Sequence, residues 1–194
     1  GLICRAYDDG AAYRFVTDID GEIEVIIEEA SFNFTDNHAI YFPEEESFQT
    51  HSERQYKYLK LGTISDKMMC YVPALVEVQD GPKVLITEAD LEDYPGLYLR
   101  GSGSKSLYGK FPAYALEEKA RNDRDVPVTK RADFIAKTSG RRSFPWRVLI
   151  VAEKDGDLIE SQMVYKLARP SQLEDTSWIK PGKVAWDWWN ANNL

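Results

Sequence analysis

A chain of 194 residues with 43% hydrophobic and 29% charged content has room for one sizeable core, or for one domain and a fragment of another. The formal net charge of −8 argues against nucleic acid as a partner, because phosphate binding draws on clustered Lys and Arg, and it reads as a solvated acidic surface. Two cysteines, Cys4 and Cys70, are too few for a disulfide scaffold or a zinc site and are expected as buried thiols, while no apolar run approaches the ~18 residues of a membrane span. No signal peptide is evident.

The first ten residues, GLICRAYDDG, alternate Ile3, Arg5 and Tyr7 with Cys4 and Ala6 and end in an Asp8-Asp9-Gly10 turn. A second strand, Ala12 to Val16, follows at once. The chain reads as beginning inside a hairpin of a sheet already under way, as a fragment whose own N-terminus is missing. Strand signals continue over Glu22–Ile27, Ala30–Phe34, Ala39–Phe42, Tyr71–Val78, Lys83–Thr87, Gly96–Leu99, Arg147–Ala152 and Gln162–Leu167. Turn chemistry separates them, as in Asp80-Gly81-Pro82, Gly101 to Gly103 and Asp155-Gly156-Asp157. Many short strands with such turns predict an all-β sandwich. Single helical turns are expected at Thr87–Tyr94 and Leu116–Arg121. After Pro181-Gly182, the run Lys183 to Trp189 (KVAWDWW) reads as one more strand, and a lone strand does not stand by itself. The organisation expected is therefore a sandwich domain over 1–180 and, over 181–194, a linker with the opening strand of a following domain.

Signatures of nucleophilic catalysis and phosphate binding are absent. His38 and His51 accompany no Ser or Cys elbow, and Gly101-Ser102-Gly103 lacks the Lys of a phosphate loop. Carboxylates are plentiful: Glu44, Glu45, Glu46, Glu53, Glu88, Asp90, Glu92 and Asp93. They lack the spacing of a calcium-binding helix–loop–helix, and composition alone reads them as a solvated face. Trp178, Trp186, Trp188 and Trp189 crowd one stretch, suited to stacking on sugar rings and equally to filling a core.

Four stretches carry a resemblance. Arg5 to Phe15 (RAYDDGAAYRF), Thr87 to Gly96 (TEADLEDYPG), Thr138 to Val151 (TSGRRSFPWRVLIV) and Asp175 to Asn190 (DTSWIKPGKVAWDWWN) resemble glycoside hydrolase family 97, in that family's order. The resemblance implies an N-terminal β-super-sandwich of the galactose-mutarotase-like kind, here truncated at its N-terminus, followed by a (β/α)8 catalytic barrel. It implies exo-acting enzymes on α-linked glucosides or galactosides, typically periplasmic, and calcium-dependent. The catalytic carboxylates of such enzymes lie in the barrel, so none is expected in this chain.

Two residue roles come with the resemblance. A family Glu on an N-terminal-domain loop, a fixed distance before a Leu-x-x-Ile, is a calcium ligand; Leu61-Gly62-Thr63-Ile64 follows Glu53 at that interval, which makes Glu53 the candidate metal ligand. The surrounding loop departs from the family's usual forms, and Glu45 or Glu46 is the alternative if it is shifted. Trp188 matches the position that stacks on bound sugar, and Glu88 and Arg147 match motif positions, with an ion pair or hydrogen bonds at a domain interface expected for them. Calcium is thus the implied cofactor and an α-linked oligosaccharide the implied substrate of the longer protein, reached through the barrel. The contrasting reading is a stand-alone carbohydrate-binding or adhesion sandwich without catalysis. Unpaired strand edges at the start of the chain are expected to favour a homo-oligomer.

Overall fold

The computed structural model describes residues 1–123 and 125–182. It opens with the expected hairpin: β1 (Leu2–Tyr7) pairs antiparallel with β2 (Gly10–Val25), Tyr7 opposite Gly10 across the Asp8-Asp9 turn. β2 is 16 residues long and serves two partners. Its first residues pair with β15 (Trp146–Ala152), and the rest pairs with β14 (Ala136–Ser143), with a register shift between Ser139 and Arg141.

The intervening chain builds two further layers. β3 (Ser31–Asn33), β5 (Glu44–Glu45), β7 (Met69–Tyr71), β10 (Tyr98–Arg100) and β11 (Ser106–Lys110) form a five-stranded sheet in the order β3-β11-β10-β7-β5. β4 (Ala39–Phe42), β6 (Lys57–Lys60), β8 (Ala74–Glu77) and β9 (Lys83–Ala89) join β1, β2, β14 and β15 in an eight-stranded sheet, seven strands running β1-β2-β15-β9-β8-β4-β6 and β14 branching from β2. β12 (Ala115–Glu118) and β13 (Val128–Arg131) make a separate ribbon.

The two large sheets face each other. Ile40, Phe42, Ala74, Val76 and Ile86 from the larger meet Phe32, Cys70, Leu99 and Leu107 from the smaller in one buried cluster, closed at its end by Leu61 and Ile64. Alternation decides the faces, since Ala74 and Val76 are buried while Leu75 and Glu77 between and beside them are not. The opposite face of the large sheet is covered at one end by two short helices, α1 (Asp155–Glu160) and α2 (Met163–Leu167). Met163 and Leu167, one turn apart, close over Ala12, Ala89, Trp146, Val148 and Ile150.

The all-β expectation holds, with local corrections. Gln162–Leu167 is helical rather than a strand, and Asp155–Asp157 starts α1 rather than making a turn; the Asp157 carboxylate accepts the Lys154 N–H at 3.2 Å and so caps that helix. Thr87–Ala89 completes β9 and Asp90 leaves it at positive φ, so no helical turn forms there. Leu116–Glu118 lies in β12 instead of a helical turn. Tyr71–Val78 divides into β7 and β8, one in each sheet, around the cis Val72–Pro73 bond; Pro73 has no N–H to give a ladder. Cys70 is buried as expected, whereas Cys4 is exposed on β1, and both thiols are free. Lys183–Trp189, read as an opening strand, and Trp188 with it lie outside the described residues. Among the described residues no helix is long and apolar enough to cross a membrane.

Gly10 shows how closely β2 and β15 approach. It holds φ at +150°, and a Cβ there would collide with the Leu149 carbonyl and stand 2.7 Å from the Met163 sulfur. Gly10→Ala is expected to destabilise the fold by more than about 2 kcal/mol, read as a lower urea midpoint at unchanged slope.

Candidate functional site

The residue singled out as a metal ligand, Glu53, sits on the 46–56 loop between β5 and β6, which belong to different sheets. Its carboxylate is exposed and makes no hydrogen bond or ion pair with the described residues. The flanking residues are tied down. The Glu45 side chain, 1% exposed, accepts from the Arg54 Nε at 3.1 Å and from the Thr50 hydroxyl. Thr50 in turn accepts the Ser52 N–H at 3.0 Å, which accommodates Ser52 at φ 55°. The Arg54 N–H donates to the Tyr71 hydroxyl at 3.2 Å. Phe48 packs edge-on against Tyr98, ring centroids 4.9 Å apart. Burial pushes the Tyr98 phenol above its ordinary range, with Glu45 adding to the rise and a hydrogen bond with Ser52 opposing it.

The run of carboxylates is thus not one acidic face. Glu44 pairs with Lys57, Glu45 is buried, and Glu46 and Glu53 are both exposed, neither with a hydrogen bond or ion pair among the described residues. A hard cation takes oxygen ligands, so Glu53 fits as one donor. It does not make a site alone: among the described residues no cluster of three or more His, Cys, Asp or Glu is placed to hold a metal. His51 is exposed on the same loop, and His38 is buried, its Nδ1 accepting the Gln79 N–H at 3.3 Å. Trp178 is exposed and its indole N–H donates to the Asp175 carbonyl at 3.1 Å.

Glu88 and Arg147 do meet, inside the sandwich rather than at its surface. Arg147, 1% exposed, donates from Nε and one terminal nitrogen to the two oxygens of Glu28 at 2.6 and 2.7 Å, and from the other to Glu88 at 2.7 Å. Its guanidinium lies over the Phe111 ring at 5.0 Å. Glu88 also accepts the Leu97 N–H, and burial together with the nearby Glu28 charge pushes the Tyr94 phenol up. Sequence reasoning did not find Glu28, which stands 119 residues from its partner in an irregular segment and matches no motif. Burial would lower the Arg147 pKa, but the Glu28 hydrogen bond and the two carboxylate charges outweigh it and hold the guanidinium charged. Burial raises Glu88, and Arg147 and the Leu97 N–H only partly offset it. The two partners thus shift in ways that disagree about a simple pair. The geometry explains why: one cation serves two carboxylates, Glu28 takes the fork, and Glu88 is left with the smaller share.

Residues 1–170 match the glycosyl-hydrolase 97 N-terminal family. The chain belongs to that family. Over 203 aligned residues it is 38% identical to a retaining alpha-galactosidase of Bacteroides thetaiotaomicron, an alignment that takes in 98% of this chain and 30% of that protein. It is 27% identical to a probable retaining alpha-galactosidase of Streptomyces bingchenggensis, covering 96% of this chain and 26% of the relative. The chain therefore spans under a third of the length of these relatives. A family 97 enzyme of Pseudoalteromonas, solved with acarbose, superposes with a TM-score of 0.74 at 23% identity, over 93% of this chain and 25% of that one, and shares the fold. The sandwich expected from the strand pattern is thus the N-terminal domain of the family.

The buried triad makes an asymmetric prediction. Glu28→Gln, which leaves Arg147 short of its fork, is expected to cost about 3 kcal/mol in urea unfolding, and Glu88→Gln clearly less. Because the folded Glu88 binds its proton more tightly than the unfolded one, its contribution is fullest below its unfolded pKa and is lost as pH rises through the folded value. The gap between wild type and Glu88→Gln is therefore expected to be widest at acid pH and to narrow toward neutrality.

Proposed function

We propose that this chain is the non-catalytic N-terminal part of a calcium-dependent, exo-acting α-glycoside hydrolase that cleaves α-galactosides. The observation that carries the reading is the 38% identity to a retaining alpha-galactosidase along nearly the whole chain. On this reading 1–180 is the sandwich, 181–194 leads into a (β/α)8 barrel that holds the catalytic carboxylates, and Trp188 stacks on the sugar there. Glu53 supplies one oxygen to a calcium ion whose other ligands come from the barrel. The ion's contribution is to polarise the substrate or orient the attacking group. What supports Glu53 is its exposure, its lack of partners and a loop anchored on both sides of it. The protein works in the periplasm on this reading. An α-glucoside is the runner-up substrate.

The test is a pair of assays on nitrophenyl α-galactoside and α-glucoside. The chain alone is expected to turn over neither, for want of paired catalytic carboxylates. The longer protein is expected to cleave the galactoside, and to lose that activity to a calcium chelator. Turnover by the pure chain, or full activity of the longer protein in chelator, overturns the proposal.

The chain alone is also proposed to self-associate through β1. That strand closes one end of the large sheet and exposes Leu2 and Ile3, whereas β6 at the other end carries Lys57 and Lys60. Light scattering is expected to show a dimer or larger species that Ile3→Lys dissociates; a monomer at high concentration refutes it.

A further inference from the structure

We propose that Glu45 is a positioning residue whose buried carboxylate holds the 46–56 loop so that Glu53 is presented for metal binding; the inference rests on the reading of Glu53 as a ligand. The loop joins two sheets and contains no regular structure. A ligand on an unrestrained segment of that kind binds only after the segment is ordered, and the lost chain entropy is subtracted from the affinity.

Glu45 removes that entropy in advance. It is the last residue of β5, fixed opposite Met69 in the five-stranded sheet. Its side chain is all but closed to solvent, and its two oxygens take separate partners further along the loop. One accepts the Thr50 hydroxyl, five residues on, and the other the Arg54 Nε, nine residues on. Thr50 passes the restraint to the Ser52 N–H, and Arg54 passes it through its own N–H to Tyr71 of β7. Ser52 and Arg54 are the immediate neighbours of Glu53. One buried carboxylate thus restrains the backbone on both sides of a residue whose own side chain makes no hydrogen bond or ion pair with the described residues.

The same geometry divides labour between Glu45 and Glu53. A buried carboxylate with one oxygen accepting from a hydroxyl and the other from a guanidinium is a poor ligand, because binding a cation there competes with a charge-assisted bond to Arg54. Glu45 therefore acts through the loop and Glu53 acts on the ion. Glu45→Gln keeps the shape but removes the charge: the amide oxygen accepts from Arg54 without charge assistance, and the NH2 turns to the Thr50 hydroxyl, which must then accept instead of donate, so both forward ties are weakened.

The experiment uses the longer protein that contains this chain and two readouts independent of turnover: calcium affinity by titration calorimetry, and amide hydrogen exchange of residues 47–54 without metal. Glu53→Gln is expected to weaken calcium binding and leave loop exchange as in wild type. Glu45→Gln is expected to weaken calcium binding about tenfold, as loss of an outer-shell partner does, and to speed loop exchange. Thr50→Val, which removes no charge and leaves the Arg54 bond to Glu45 in place, is expected to give a smaller loss of the same kind and carries the test if Glu45→Gln fails to fold. Glu44→Gln, which breaks the neighbouring solvent-exposed pair with Lys57, is expected to change neither readout. Unchanged calcium affinity in Glu53→Gln removes the ligand reading itself. A loss in Glu53→Gln with wild-type affinity and exchange in both Glu45→Gln and Thr50→Val overturns the positioning role alone.

Discussion

A guanidinium between two sheets is the constraint on which the rest of the molecule is arranged. Arg147 points from β15 into the sandwich, where a bare cation would be prohibitively expensive. It is tolerated because Glu28 meets it with two parallel hydrogen bonds and Glu88 with a third. The three residues come from three parts of the chain: Arg147 from β15, Glu88 from β9 beside it, and Glu28 from the irregular segment after β2. The Leu97 N–H is recruited as a further donor to Glu88. Satisfying one buried charge therefore fixes where the 26–30 segment and the 90–97 connection run, and those connections set how the small sheet lies on the large one. A hydrophobic replacement could fill the same space, but would not specify which segments meet.

The outer face repeats the logic at lower stakes. Asp90, at positive φ where β9 ends, accepts from Arg14 at 3.2 Å and from the Arg169 Nε at 3.0 Å. Arg14 also lies over the Trp146 ring at 4.4 Å, with Arg5 stacked on the same ring at 4.9 Å. The segment after α2 is thereby returned to the sheet, and α2 is kept over its apolar patch. The result is a scaffold restrained in its middle and at one end. At the open end the Glu45 brace does the same for a loop, with the difference that it leaves one carboxylate free.

The architecture was legible in the sequence where local chemistry and burial agree. The Asp8-Asp9-Gly10 turn between two alternating runs specifies a hairpin, and β4, β9 and β15 show because each has an apolar face against the core. β12 and β13 did not show, since both faces of that ribbon meet solvent and no period is imposed on them. Gln162–Leu167 misled because five or six residues cannot separate a period of 2 from one of 3.6; the burial of Met163 and Leu167 over one patch of the sheet decides it. For the site, the residue pattern offered eight carboxylates of equal standing. Only the fold distinguishes Glu45 and Glu88, withdrawn into the protein, from Glu53, left outside. The resemblance pointed to Glu53, Glu88 and Arg147, and it was silent on Glu28 and on Arg54, whose importance comes from partners distant in sequence or from a register that composition does not record.

The proposed calcium site has a consequence for how such a protein holds together. If one ligand stands on the sandwich and the rest stand on a barrel, the complete site exists only while the two are docked. Anything that binds the docked form alone stabilises it by mass action, so calcium affinity and domain docking become one linked equilibrium. The sandwich's contribution is then not chemistry but rigidity, because any freedom in the 46–56 loop or in the sheets that carry its ends would be subtracted from the free energy the ion returns. That is a physical reason why, on the proposed reading, a metal ligand such as Glu53 would stand on a mostly β domain stiffened by a buried Arg–Glu triad. The chain would supply a fixed point, and its value to the reaction would lie in how little that point moves.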